Sequence, residues 1–478
     1  MKKYLIIETF PNSPHIEASI EIAINLRKKN NKVYFFWCGY DLPWTDWKLS
    51  LSKKILSFSF ENKIKRLESY LISKNVEVIP RFNLNTSHYQ CINNAISSFN
   101  NFKKLKYFEY KKVQVGLAVY SSLVTKSHNL DICSFKDKIK PALMSSCIVF
   151  ERSNKVIKEI NPHTVITFNC RFAISKPIIS SAKFNKKKIL IHERGSTLNK
   201  YEIFTDDVHD NDYIYKKCFL HWENNKDLKK KTTIAKKYFR LVENKKFIAK
   251  VGLDFEKKTE SKINFDKNKK IITYLCSTDY ECVAVYLDVK KYYINEYWSD
   301  QINTLKSIIN IIKKDPNIIL YIKSHPNFSP RNNQEEKLKE LETNNVVYLS
   351  VDDRQDTYEL IRNSDLIISF GTSLELYAVY LNKKVISFVK TFYTNFNFIF
   401  YPKNENTLKK LIYEKEKINY NNIKKLNLLK VAYYIMTFGI DYKFYKAINY
   451  SRGYFKGTRI DHYGFFSPLM NFIYRRIK

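Results

Sequence analysis

The second half of the chain alternates short apolar runs with helical patterns in a regular order, and this rhythm constrains its fold more than any other feature. The runs are Ile271–Leu275, Ile318–Ile322, Val346–Leu349, Leu366–Ile368 and Val385–Phe388. Helical spacing fills the intervals near Asp300–Lys313, Gln334–Glu342, Asp356–Asn363 and Ser373–Leu381. Strands separated by single helices demand crossover connections, so the pattern predicts a parallel, doubly wound α/β sheet.

The opening of the chain has the same character. Tyr4–Ile7 is a short apolar run suited to a buried parallel strand, and Ile16, Ile20, Ala23 and Ile24 then recur at helical spacing. Ser13 is placed to cap that helix, with Pro14 at its first position. Val33–Trp37 supplies a second strand. Between 50 and 160 the helical patterns Lys63–Ser73 and Ile139–Ile160 flank a strand-like Val76–Ile79. Thr164–Phe168 and Ile189–Ile191 read as further strands, with a helix from about Pro177 between them.

A stretch dense in Lys and Asn follows at 225–270 and reads as the end of the first domain plus a connection. The expected organisation is an N-terminal Rossmann-like domain over 1–260, a second over 261–420, and a basic, aromatic tail over 421–478. The two domains are expected to face one another across a cleft. The tail carries 11 Lys and Arg against Asp441 and Asp461, with Tyr433-Tyr434, Phe465-Phe466 and Phe472 interleaved. It is expected to be helical and to pack on the first domain, with an anionic membrane surface as a further partner.

With 82 Lys and Arg against 47 Asp and Glu in 478 residues, the formal charge is +35. Such a balance attracts polyanions, but the lysines are spread over the whole chain and form no focused stripe, which argues against a nucleic-acid binder. The eight cysteines form no C-x-x-C pair and no cluster with histidine, so they read as reduced core residues, not as a disulfide framework or metal site. No apolar stretch reaches the roughly 18–20 residues that span a bilayer, so the expectation is a cytoplasmic protein, peripheral at most on the inner face of the membrane.

In open parallel sheets ligands bind outside the carboxyl ends of the strands, so the residues that follow each strand are the candidates for chemistry. Ser324-His325-Pro326 follows Ile318–Ile322, and the proline holds His325 at the strand mouth, where an imidazole can donate to a phosphate oxygen. Gly371-Thr372-Ser373 follows Leu366–Ile368, where a helix start offers free N–H groups to an anion; Glu375, one turn inside, is placed to accept from ribose hydroxyls. Ser277, Thr278 and Asp279 follow Ile271–Leu275. In the first half, Asn169 and Arg171 follow Thr164–Phe168, and Glu193 and Arg194 follow Ile189–Ile191. No P-loop, G-x-G-x-x-G, H-E-x-x-H or G-x-S-x-G is present, which removes the main support for Walker-type NTPases, common dinucleotide oxidoreductases and the usual serine hydrolases.

The order Phe168-Asn169-Cys170-Arg171, His192-Glu193-Arg194-Gly195, Ser277–Glu281, Ser324-His325-Pro326 and Gly371-Thr372-Ser373-Leu374-Glu375, with Glu8 and Pro14–Glu17 at the start, resembles the capsule-polysaccharide-biosynthesis type of glycosyltransferase, a group that includes Kdo transferases. Cys170 and Ser324 depart from that pattern, which has Gly and commonly Arg or Gln there. The resemblance implies a GT-B fold, with the acceptor on the first domain and a nucleotide sugar, as donor substrate and not cofactor, on the second. It puts donor binding on Ser277, Thr278, Ser324, Gly371, Thr372, Ser373 and Glu375, with His325 on the phosphate. His15, Asn169, Arg171 and Arg194 become acceptor contacts, the acceptor being a glycan or glycolipid of capsule or lipopolysaccharide. Glycosyl transfer needs a carboxylate as base or nucleophile, for which Glu193 and Asp279 are the candidates. No acidic pair has metal-ligand spacing, so metal-independent catalysis is expected. A polyol-phosphate transferase using a CDP-linked donor is the alternative within the same architecture.

Overall fold

The structure, a computed structural model, describes residues 1–47, 53–205, 207–244, 263–285, 296–298, 300–328, 333–353, 355–414, 420–448, 453–455 and 458–459. The chain forms two compact units. Each is a Rossmann-like α/β fold built on its own sheet, all parallel in the second unit and parallel but for β6 and β12 in the first.

The first unit holds β1 (Lys3–Glu8), β2 (Lys32–Trp37), β3 (Glu77–Val78), β4 (Thr164–Phe168), β5 (Lys188–Arg194) and β6 (Lys200–Phe204). The second holds β7 (Lys270–Leu275), β8 (Ile318–Lys323), β9 (Val346–Leu349), β10 (Leu366–Ser369) and β11 (Lys384–Ser387). Three more short strands, β13 (Tyr445–Ala447), β14 (Gly453–Phe455) and β15 (Thr458–Arg459), form a separate ribbon near the end, and β12 (Ile440–Asp441) joins the first sheet.

The first sheet runs β12-β6-β5-β4-β1-β2-β3, and the second β11-β10-β7-β8-β9. In both, the chain builds outward in one direction from a central strand and then crosses to its other side. That reversal lies between β1 and β4 in the first unit and between β7 and β10 in the second. Such a switch point opens a crevice at the carboxyl ends of its two strands, because the connecting loops diverge there. The central strands have apolar middles: Leu5, Ile6 and Ile7 of β1 and Ile272 and Tyr274 of β7 are fully buried. Helices cover them, as two-sided burial of a parallel sheet requires.

The expected strands of both halves are present, mostly within a residue of the expected ends. Four readings change. Ser13 does not cap the first helix, His15–Lys28; its hydroxyl donates to the Glu17 side chain at 2.7 Å. The second unit begins near His209, not at 261, because the Lys-rich segment contains a helix, Leu228–Glu243, whose Ala235, Tyr238, Phe239 and Val242 are buried. Phe239 stacks on Tyr380 in that unit, with ring centroids 4.1 Å apart. The rest of the stretch read as a connection, 245–262, lies outside the described residues. Of the cysteines, Cys91 and Cys133 are exposed, whereas Cys38, Cys147, Cys170, Cys218 and Cys276 are buried.

The tail divides. Its helix, Asn422–Thr437, packs in the second unit, where the Asn225 amide donates to the Tyr433 hydroxyl at 2.8 Å. From Thr437 the chain belongs to the first unit. Glu21 there accepts the main-chain N–H groups of Lys443 at 2.8 Å and Phe444 at 3.0 Å, and β12 pairs antiparallel with β6. The aromatic residues from 460 onward lie outside the described residues, and no helix among those described is long and apolar enough to cross a membrane.

Candidate functional site

The first unit gathers its candidates at the mouths of β1, β4 and β5. The register pairs Phe168 with His192, so Asn169 comes level with Glu193. Asn169 adopts a left-handed conformation (φ 53°), which asparagine tolerates better than most residues. In this pose its Oδ1 accepts the N–H groups of Cys170 at 2.6 Å and Arg171 at 3.0 Å, while its amide donates to Glu193 Oε2 at 2.8 Å. Glu193 Oε1 accepts the N–H of Arg194 at 2.9 Å and lies 3.7 Å from His15 Nδ1. Both side chains keep about a quarter of their surface open, which leaves the carboxylate reachable. Burial pushes the His15 imidazole down to about 4; Glu193 opposes this, and the charges of His192, Arg194 and Lys63 add to it. His15 is therefore neutral at pH 7.

Arg171 turns from this group toward the helix Val115–Ser127, donating to Ser121 Oγ and Thr125 Oγ1 at 3.0 Å each. Beneath the site lie two buried clusters. In the first, Glu8 Oε1 accepts from Ser19 Oγ at 2.5 Å and meets His192 Nε2 at 2.8 Å. In the second, Lys63 Nζ meets Glu17 Oε1 at 2.7 Å and donates to the Pro11 carbonyl at 2.8 Å. Lys63 thus ties the loop that leads from β1 into His15 to the helix Lys53–Ile72.

In the second unit the candidates follow β7, β8 and β10, three adjacent strands of one sheet. At about 4.8 Å per strand, the mouths of β8 and β10 lie roughly 10 Å apart, with the β7 loop between them. Gly371 has φ 88°, a conformation that disfavours any residue with a Cβ, and so directs the turn after β10. The N–H groups of Thr372 and Ser373 make no hydrogen bond with the described residues, and both residues are at least partly open. His325 is partly open too; its Nδ1 accepts the main-chain N–H of Asn327 at 3.2 Å. Burial lowers its pKa below the ordinary histidine value against the pull of Glu281.

Four predicted donor contacts face inward. Glu375 is fully buried and holds the turn instead of offering itself to a ribose: its carboxylate accepts from the hydroxyls of Ser369 and Tyr393 and from the N–H of Gly371. The reason is its place one turn into the helix Leu374–Tyr380, where the side chain points back beneath the loop. Thr278 is buried, its hydroxyl on Glu281 Oε2 at 2.7 Å, and Ser324 is buried at the edge of β8. Ser277 is buried as well, its N–H and C=O held by Gln301 at 2.8 and 3.0 Å.

Asp279 stands at the start of the helix Asp279–Val285. Burial, and next the charge of Asp300, push its carboxyl up to about 7, against Lys337 and Gln334. A folded-state pKa above the unfolded value means that the folded chain holds an extra proton between roughly pH 4 and 7. Stability then falls as pH rises through that window. Asp279→Asn is accordingly expected to raise the thermal midpoint at pH 8 by a few degrees and to change it little at pH 4. Parallel melting scans at the two pH values check this.

Sequence reading missed Lys63 and Asn327, and it named Glu8 and Glu281 only as parts of the resembling pattern, without their partners in these clusters. No family model matches the chain, and no curated protein matches it. Among solved structures it is similar to KpsC of Thermosulfurimonas dismutans, a beta Kdo 2,7 transferase, at 12% identity over 67% of this chain and 89% of that one, TM-score 0.38. A beta Kdo 2,4 transferase KpsC from the same organism aligns at 13% identity over 57% of this chain and 79% of that one, TM-score 0.37. The UDP-GlcNAc 2-epimerase of Methanocaldococcus jannaschii aligns at 13% identity over 90% of this chain and 99% of that one, TM-score 0.27.

Proposed function

We propose that this protein is a glycosyltransferase that moves a sugar from a nucleotide-activated donor to a growing surface glycan. One observation carries the reading. At the carboxyl edge of the second sheet, an imidazole whose hydrogen lies on Nε2 follows β8, and two main-chain N–H groups that make no hydrogen bond with the described residues follow β10. Such donors, fixed before the reaction, stabilise the charge that gathers on a departing phosphate.

In this reading the bond between the anomeric carbon and the phosphate oxygen breaks, and its electron pair stays on the phosphate. His325 Nε2–H and the N–H groups of Thr372 and Ser373 receive that charge. An acceptor hydroxyl oxygen bonds to the anomeric carbon, and its proton passes to Glu193. We assign this role to Glu193 and not to Asp279 because Glu193 is the carboxylate that sits among the acceptor candidates Asn169, Arg194 and His15. His15, Asn169 and Arg194 support acceptor recognition around Glu193, while Arg171 braces the loop from behind.

A thermal-shift series with CMP-, UDP-, GDP- and CDP-linked sugars tests the reading. One nucleotide class is expected to stabilise the protein by about 2–3 kcal/mol at a hundred times its Kd, with a glycosidic product when acceptor is added. Stabilisation by none of them, or a phosphodiester product, overturns it.

A further inference from the structure

We propose that Glu281 is a positioning residue which, acting through Asn327, holds the His325 ring in the tautomer that can donate to an anion at the strand mouths. The main-chain N–H of Asn327 can only donate, so the His325 Nδ1 that accepts it is bare, and the hydrogen of the neutral ring sits on Nε2. Asn327 is itself fixed: its side-chain amide donates to Glu281 Oε1 at 3.0 Å. The second oxygen of Glu281 accepts the Thr278 hydroxyl at 2.7 Å. The neighbouring Tyr280 hydroxyl donates to the Asn327 carbonyl at 3.1 Å.

One carboxylate on the helix after β7 therefore links the loops that leave β7 and β8. This gives Thr278 an inward role as an anchor for Glu281. It also explains why Asn327 follows His325 and Pro326: the asparagine presents its backbone to the ring and its side chain to the carboxylate. With the link intact, the ring has one hydrogen-bonding state. Without it, the loop after β8 loses its tie to the neighbouring loop and Nδ1 loses a fixed donor.

The functional meaning rests on the proposed phosphate site, but the positioning is measurable without it. The full-length protein with ¹⁵N-labelled histidine reports the His325 tautomer by long-range ¹H–¹⁵N spectra. Wild type is expected to show a single Nε2–H form, Glu281→Ala a mixture of both forms, and Glu281→Gln, which still accepts from Asn327, the single form again. Asn327→Ala removes the same link from its other end and is expected to match Glu281→Ala, so the question stays decidable if one variant fails to fold. In a titration with inorganic pyrophosphate, Glu281→Ala is expected to bind about 5–10-fold more weakly, as for one lost positioned hydrogen bond, with Glu281→Gln within about twofold of wild type. A single Nε2–H form in both Glu281→Ala and Asn327→Ala overturns the proposal. Pyrophosphate binding that is the same in wild type and His325→Ala instead overturns the phosphate site, and the tautomer spectra still decide the role of Glu281.

Discussion

His325→Ala is expected to lower the rate of sugar transfer by roughly 10²–10³-fold, the usual loss when one fixed donor to a developing anion is removed. The imidazole is partly open at the mouth of β8, so its removal leaves no sealed cavity and the fold should hold. Asn327 loses only the Nδ1 partner of its N–H, which water can replace. The effect should therefore appear in turnover with little change in the thermal midpoint. His325→Gln, which keeps an N–H donor on a side chain of similar reach, is expected to recover part of the rate. Initial rates with the donor identified by thermal shift, set beside melting curves of each variant, decide the matter. Full activity in the alanine variant would show that the departing phosphate is held by other groups.

The largest expected effect on stability is at Lys63. Its ammonium and the Glu17 carboxylate are both completely inaccessible to solvent, 2.7 Å apart, and Lys63 also donates to Ser13 Oγ at 2.9 Å. Removing one partner of such a pair leaves a charge with neither water nor counter-ion. Lys63→Ala is expected to cost about 3–5 kcal/mol, read as a lower midpoint in urea with an unchanged slope. Adding Glu17→Gln removes the stranded charge and should restore most of the loss. A cost below about 1 kcal/mol for Lys63→Ala would mean that the loop from Pro11 to Pro14 opens and lets water reach Glu17. That loop leads directly into His15, so acceptor binding should suffer with stability.

Much of the fold is legible in the sequence because each parallel strand needs an unbroken apolar run, and β1, β4, β7, β8 and β10 all have one. The strand mouths are legible for the same reason: polarity returns abruptly at Glu8, Asn169, Ser277, Lys323 and Ser369. What escapes is whatever depends on tertiary neighbours. The Leu228–Glu243 helix hides within a lysine-rich segment, although Ala235, Tyr238, Phe239 and Val242 recur at helical spacing. Strand β6 pairs antiparallel with β5, which the alternation of single helices does not foretell. Glu375 follows a glycine turn, as a ribose contact would, yet the helix start turns its carboxylate under the loop. The Lys63–Glu17 pair and the Glu281–Asn327 link join separate elements, and no local spacing announces them.

The path of the chain has a consequence for biosynthesis. Residues 209–436 are an insertion between two parts of the first unit, which is closed by the strand that starts at Ile440 and by the backbone that Glu21 receives. A chain made from its amino end delivers those residues only after the whole insertion has left the ribosome. The unit that is begun first is thus completed only after the second has been made, and Glu21 waits for partners 422 and 423 residues further along the chain.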